Sequence, residues 1–446
     1  MTDARARISA RAGSPPWLGA AIRWYAAFAF FTAFAGQFWR NLLGWWGFGI
    51  VAGAVIAGAV VLLAMVRPTW NWRNVSKSAV GFVGLAALSV AWSAYPWTTV
   101  LMVAILAGTA VAGVALGLCL TWAEFLRALA SALAWILALS LVFELWVAVV
   151  VGEPLLPNFV DYGGADVPAA FYWSRDLLFA GGPIEGIVAN RNLLGMIALL
   201  GLVVFTIQAR TMGYRRDRAI GWIVVAVLTL ALTRSATVLL AAVVVAVVLG
   251  FALWARRRTS RGRLPVYLAA MGSLAAAVLT VVLAWTPLLG LLGRSEDATG
   301  RLDIWASVLG LIAERPVLGW GWTGYWAPWT EPYAGLAVRN GVEYLQAHDA
   351  WLDVWMQLGV VGLAVFAVLV LGTLTRSWFV AVDRPEVDFG AGTGYRASAF
   401  MPLLLMAALI AQSIGESRIL IEGGWMLLVA LAFLTKRRRF AGEPMP

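Results

Sequence analysis

Apolar stretches, most of them near the 17 to 25 residues needed to cross roughly 30 Å of hydrocarbon, follow one another along this chain from end to end. Twelve are drawn: 17 to 36, 43 to 66, 78 to 94, 98 to 120, 124 to 150, 186 to 208, 219 to 233, 235 to 255, 265 to 290, 350 to 375, 397 to 414 and 420 to 435. Of 446 residues, 62% are hydrophobic and 13% charged, which inverts the balance of a water-exposed surface. The pattern predicts an all-α membrane protein with about 12 transmembrane helices and leaves no room for a soluble domain. A single cysteine, Cys119, and a single histidine, His348, exclude disulfide frameworks and Cys/His zinc modules, each of which needs several such residues.

Twelve spans put both termini on one side, and the basic residues say which. Arg5, Arg7, Arg11, Arg67, Arg73, Lys77, Arg210, Arg215, Arg216, Arg218, the arginines from 256 to 263 and Lys436 to Arg439 all fall in one set of connectors. With Arg23, Arg127, Arg376, Arg384 and Arg396 that set holds 24 of the 33 basic residues, against nine on the other side. Positive residues stay in the cytoplasm, so both termini are expected there. Much of the net charge of +10 is then a topology signal and a contact for anionic lipid heads, and no nucleic-acid partner is expected. The expected organisation is a cytoplasmic tail (1 to 16), a polytopic membrane domain (17 to 435) and a second cytoplasmic tail (436 to 446). The N-terminus has no short apolar stretch with a small-residue cleavage site, so the first span reads as retained. No internal repeat is evident.

Two connectors on the extracytoplasmic side are long, 151 to 185 and 291 to 349, and long connections tend to be functional. In the second, Leu302, Trp305, Val308, Leu309 and Ile312 recur at helical spacing between Gly300 and Pro316. They predict an amphipathic helix on the outer leaflet with Arg301 on its first turn, or a structural cover over the bundle. Trp320, Trp322, Tyr325, Trp326 and Trp329 read as interfacial belt anchors.

Arg234 is the most informative residue. The apolar run before it, 219 to 233, rises only about 22 Å as a helix, and the next span begins at once. With no loop to lift it into water, the guanidinium sits near or below the outer headgroups, where an ionisable residue is a functional candidate by default. His348 opens the tenth span on the same face as Arg234 and Arg301, and its imidazole suits general acid or base work. A metal set of His348, Asp349, Asp353 and Glu343 is a weaker alternative, because the carboxylates fall on different faces. Glu144, and Glu416 with Arg418, read as structural pairs in preference to support for a phosphate clamp.

Several stretches together carry a family likeness. GRLDIW, ERPVLGWGW and AHDAWLDVWMQLGVVGL, with WSAYPW at 92 to 97, GIVANRNLLGMIAL at 186 to 199 and LTRSATVLL at 232 to 240, stand in a fixed order on consistent membrane sides. This pattern resembles the O-antigen ligase and polysaccharide polymerase superfamily and covers most of the chain. The resemblance implies transfer of a glycan from undecaprenyl pyrophosphate to an acceptor hydroxyl, inverting and metal-independent, on the extracytoplasmic face of a bacterial cytoplasmic (inner) membrane. It implies no cofactor, and as partners a lipid-linked glycan donor, a glycan, lipid or protein acceptor, and membrane lipids. Carried over by position, the family's arginines fall on Arg234 and Arg301 and its histidine on His348. Asp349 stands where the family usually has Asn, which could raise the histidine's basicity or change the acceptor held. Arg191 matches no family arginine and is kept as an extra phosphate contact.

The chemistry agrees. A lipid pyrophosphate gains negative charge as the glycosidic bond breaks, so positive charge must already be in place. Arginines bind phosphate bidentately and stay charged. The acceptor hydroxyl needs a base, and His348 supplies one. Within the superfamily a polymerase is the near rival of a ligase. A transporter or lipid flippase is the rival from another class, disfavoured by a midplane almost free of charge, and a non-catalytic scaffold is the last.

Overall fold

A computed structural model describes residues 16–68, 70–159, 167–211, 213–283, 295–339, 342–383 and 396–441. The N-terminal tail before residue 16, the last part of the ninth apolar segment (284 to 290), Arg294, Arg384 and residues 442 to 446 lie outside them.

Every one of the twelve apolar segments contains a helix. In chain order these are α1 Pro16–Phe34, α2 Gly36–Val66, α3 Lys77–Leu88, α4 Pro96–Cys119, α5 Trp122–Trp146, α6 Arg191–Ala209, α7 Arg216–Thr233, α8 Ala236–Arg256 and α9 Leu264–Leu283, then α11 Ala350–Val382, α12 Met401–Ser413 and α13 Glu422–Ala441. The thirteenth helix, α10 Ser295–Glu314, is the amphipathic one, and it starts well before Gly300. The only strands among the described residues are the two-residue antiparallel pair Val338–Arg339 and Val342–Glu343. Among the described residues eight helices are long and apolar enough to cross a membrane; α3 and α12 are shorter. Many large apolar side chains point outward, Ile50, Val224 and Leu274 among them, as they must where lipid is the solvent.

The centre of the bundle is α13, whose residues Trp425 to Leu434 are all almost fully buried. It lies tightly against α4. A Cβ on Gly113 or Gly117 would stand 2.7 Å from the carbonyl oxygens of Met426 and Ala430, so this small-xxx-small pair lets the backbones touch. Lipid gives no hydrophobic drive between helices, so such close approach is how the bundle holds together.

α11 is broken at Gly359, which has φ 66°, ψ −171°, and the break is filled from outside. The loop Pro316–Gly321 lies in it: Trp320 and Gly321 N–H donate to the Met356 and Gln357 carbonyls, while Val360 and Val361 N–H donate to the Pro316 and Val317 carbonyls. The backbone groups freed by the kink are thereby satisfied, as hydrocarbon requires. A Cβ on Gly359 would meet the Val317 oxygen at 2.0 Å, and one on Gly319 would meet Gln357 at 2.5 Å. The Gly-x-Gly and Gly-x-x-Gly motifs are this seam.

The loop beyond is a folded body. Tyr95, Ile304, Val308, Leu311, Ile312, Trp326, Tyr333 and Met356 make a second apolar core. The expectation for the amphipathic helix is therefore corrected. Val308 and Ile312 are buried, but Leu302 and Leu309 are exposed, and the inward face is completed by Ile304 and Leu311. α10 covers the loop and α11. The belt reading of the tryptophans is also corrected: Trp322 and Trp326 are 1% exposed, Trp320 donates from its indole to the Leu311 carbonyl, and of the five only Trp329 is open. A tryptophan-rich run reads the same whether it faces headgroups or builds a core.

Candidate active site

Five chain segments end at one level of the bundle. They are the start of α6, the turn between α7 and α8, the first turns of α10, the residues before α11, and the turn between α12 and α13. Each has a local reason to be there. Asn190 caps α6 by accepting from Leu193 N–H at 2.9 Å. Arg234 is the left-handed cap of α7 (φ 47°), and Ser235 caps α8 at once, which is why no loop separates the two helices. His348 also adopts a left-handed backbone (φ 52°), and Asp349 caps α11 by accepting from the Trp351 and Leu352 N–H groups.

The hub of this level is Glu416, a buried carboxylate. One oxygen lies 3.1 Å from His348 Nδ1 and accepts from Gln346 Nε2 at 3.2 Å. The other accepts from Asn192 Nδ2 at 3.0 Å and lies 3.7 Å from the Arg301 guanidinium. Asn192 in turn accepts from the Ser235 hydroxyl at 2.8 Å. Burial works against the charge of Glu416, but the charge and hydrogen bond of His348, with Arg301 and Arg418, overcome it and hold the carboxyl down at about 2, from an ordinary 4.5.

The arrangement brings Arg301 and His348 together on one carboxylate. The residues that reach Glu416 beside the other two arginines are their chain neighbours: Asn192, next to Arg191, directly, and Ser235, next to Arg234, through Asn192. The exposed Arg234 guanidinium lies against the first outer connector, 3.9 Å from where a Cβ on Gly181 would stand. Arg191 acts on Glu185, which is ion-paired to Arg175 at 2.8 Å. Burial pushes Glu185 up to about 7 despite both arginines, so near neutral pH its charge is incomplete and the pair of arginines stays net positive.

An ionised Glu416 only accepts, so the proton between it and His348 belongs to Nδ1, and Nε2 of the neutral ring keeps its lone pair. Asp349, expected to influence the histidine, is instead committed to the end of α11; the carboxylate that touches the imidazole is Glu416. Nor do the four residues weighed as a metal set converge. Asp353 is buried and accepts from Trp326 Nε1, Ala347 N–H and Ser417 Oγ, while Glu343 accepts from Gly335 N–H. Glu144 accepts from the Glu185 and Gly186 N–H groups and from Ser174, which ties α5 to the connector before α6.

Next to this cluster stands a second ionic group. Glu422 accepts from Arg40 at 2.8 Å and Arg418 at 3.1 Å, tying the start of α2 to α13.

Residues 221–367, which contain Arg234, Arg301 and His348, match the protein-family model described as O-Antigen ligase. The chain is also 28% identical over 240 residues to the Exopolysaccharide production protein ExoQ of Rhizobium meliloti (strain 1021), an alignment covering 49% of this chain. It spans about half, 53%, of the relative's length. Both matches, like the motif order and the seam those motifs build, are similarities to the O-antigen ligase and polysaccharide polymerase superfamily.

Proposed function

We propose that this protein is a twelve-span bacterial inner-membrane glycan transferase with both termini cytoplasmic. It moves a saccharide from undecaprenyl pyrophosphate to an acceptor hydroxyl at the extracytoplasmic end of the bundle. The observation that carries the reading is the meeting of Arg301 and His348 on buried Glu416 at the level where Arg234 and Arg191 emerge. The 24-to-9 bias of basic residues puts that end outside.

The reaction is a single displacement. His348 Nε2 takes the proton from the acceptor hydroxyl, and Glu416 stabilises the imidazolium that forms. The acceptor oxygen bonds to the anomeric carbon from the face opposite the phosphate. The bond from that carbon to the phosphate oxygen breaks, and its electron pair leaves with the pyrophosphate, inverting the centre. Arg234 and Arg301 meet the developing charge, with Arg191 beside them. Guanidinium groups supply the positive charge in this scheme.

A polymerase, which joins one lipid-linked glycan to another, is favoured by the relative's name, since it is named for exopolysaccharide production. A ligase is favoured by the strength of the motif around His348. Turnover of a lipid-linked oligosaccharide by purified protein tests the shared chemistry: His348→Ala should fall by roughly 10²- to 10⁴-fold, and near-wild-type turnover would refute the base assignment. Mass spectrometry of a deletion strain's envelope then separates the two, a ligase leaving finished lipid-carried polymer and a polymerase leaving single units.

A further inference from the structure

At the end of the bundle opposite Glu416 lies a cavity of about 820 Å³ between α1 and α7, floored by α5 and α6. Its size is that of a ligand site. Four arginines line its mouth: Arg23 of α1, Arg127 of α5, and Arg215 and Arg218 at the start of α7. Among the described residues no carboxylate lines it. Arg215 is partly neutralised by Asp217 at 2.6 Å, and both are largely exposed. Arg127 stacks over the Tyr214 ring, 5.9 Å from its centroid, which fixes the direction of its guanidinium.

The cavity is not only a basic mouth. Along α5 it follows Ala130, Ala134 and Ala138, one turn apart, so the wall is set back where bulkier side chains would fill it. From Arg127 to Ala138 the rise is about 16 Å, half of a roughly 30 Å hydrocarbon layer and so the depth of one leaflet. Trp24 and Trp135 flank it, 68% and 54% exposed. The space is partly open, and below the arginines its lining is apolar apart from Ser131 and Gln208, so an acyl chain fits it better than ordered water. A cluster of exposed guanidiniums at the headgroup level with a chain-wide, mainly apolar slot beneath it matches an acidic lipid, with its phosphate on the arginines and one acyl chain in the slot.

We propose that this cavity is a binding site for an anionic phospholipid of the leaflet opposite the Glu416 cluster. The lipid wedges α1 to α7 and so braces α6, whose other end carries Arg191 and Asn192. The site lies apart from the residues assigned to transfer, and it stands whether or not that assignment does.

Full-length protein, stripped of lipid in detergent, is titrated with phosphatidylglycerol, phosphatidylcholine or inorganic phosphate, and bound lipid is read by native mass spectrometry. Wild type should retain phosphatidylglycerol about tenfold over phosphatidylcholine, in keeping with several arginines acting on one headgroup. Equal retention of the two overturns the proposal, and so does displacement of phosphatidylglycerol by millimolar phosphate, which would mark a soluble-anion site. R127Q combined with R218Q should remove the preference. A134F, which blocks the slot and leaves all four arginines, should remove it too, and retention by A134F at the wild-type level would reduce the site to surface attraction and sink it. R257Q combined with R258Q, exposed basic residues after α8, should keep the preference; its loss there would also count against a defined site. The wild-type comparison needs no variant, so a poorly folding substitution leaves the test intact.

Discussion

A buried carboxylate held near 2 by a histidine and an arginine is a stored electrostatic interaction, and its sign can be followed with pH. The folded value of Glu416 lies below its ordinary 4.5, so the stability it contributes is present above about 4.5 and is lost as pH falls toward about 2. Glu416→Gln has no such group to titrate. Melting temperature measured against pH should therefore fall more steeply for wild type than for Glu416→Gln between 4.5 and 2, and parallel curves would contradict the assigned shift. Above that window the variant should be the less stable by roughly 3 kcal/mol, because removing one partner leaves buried cations uncompensated. Its turnover should drop about 10²-fold, since Nδ1 loses the acceptor that fixes the ring. His348 and Arg301 were legible from the chain alone, through motif spacing. Glu416 reads from the sequence first as a structural residue and second as support for the phosphate clamp, because it stands 68 positions after His348 and only the fold joins them. One signal was available: Gly415–Glu416 follows an apolar run with no loop to lift it into water, the same argument that singled out Arg234.

The seam between the outer loop and α11 shows how a motif glycine serves the site through an element. Gly359 lets α11 open, and the Pro316–Gly321 loop closes the gap with four backbone hydrogen bonds. From there the loop is pinned by Gln357, whose side-chain oxygen accepts from the Thr323 and Gly324 N–H groups, and by Trp326 N–H donating to the Leu345 carbonyl, three residues before His348. Gly359→Ala adds a Cβ at 2.0 Å from a carbonyl oxygen and strains a left-handed backbone. It should cost roughly 3 kcal/mol or more, read as a lower melting temperature or loss of monodisperse protein. Gly335→Ala shares the positive φ (67°) but meets nothing within 4 Å, so about 1 kcal/mol is expected there. Equal effects at the two positions would mean that the seam contributes nothing beyond strain. The helix of α10 was readable from its periodicity, whereas its inward face was not. Of the two partners the stripe allows, a lipid surface or the protein beneath it, the structure shows the second, a core that selects Ile304 and Leu311 in place of Leu302 and Leu309.

Across the whole molecule, length and apolarity were enough to place every helix of the bundle, because in lipid a helix satisfies its own backbone and needs no partner to be predicted. What the chain could not reveal was which helices lie at the centre: α13 ends in a basic run at 436 to 439 yet is the most enclosed element, against α4. The direction of the bundle in the membrane decides whether the Glu416 end can meet an external acceptor. Cys119 is 4% exposed and is the single cysteine of the chain, so an introduced cysteine can be labelled over little background. Ala334→Cys places a thiol on the open surface of the loop near His348, and Thr259→Cys places one between α8 and α9 at the other end. A membrane-impermeant maleimide applied to intact cells with an opened outer barrier should modify the first and spare the second, which should react only after the inner membrane is permeabilised. The opposite pattern would put His348, Arg301 and Arg234 in the cytoplasm. The donor would then be presented from the inner leaflet, and the proposed transfer to an external hydroxyl would be impossible for this site.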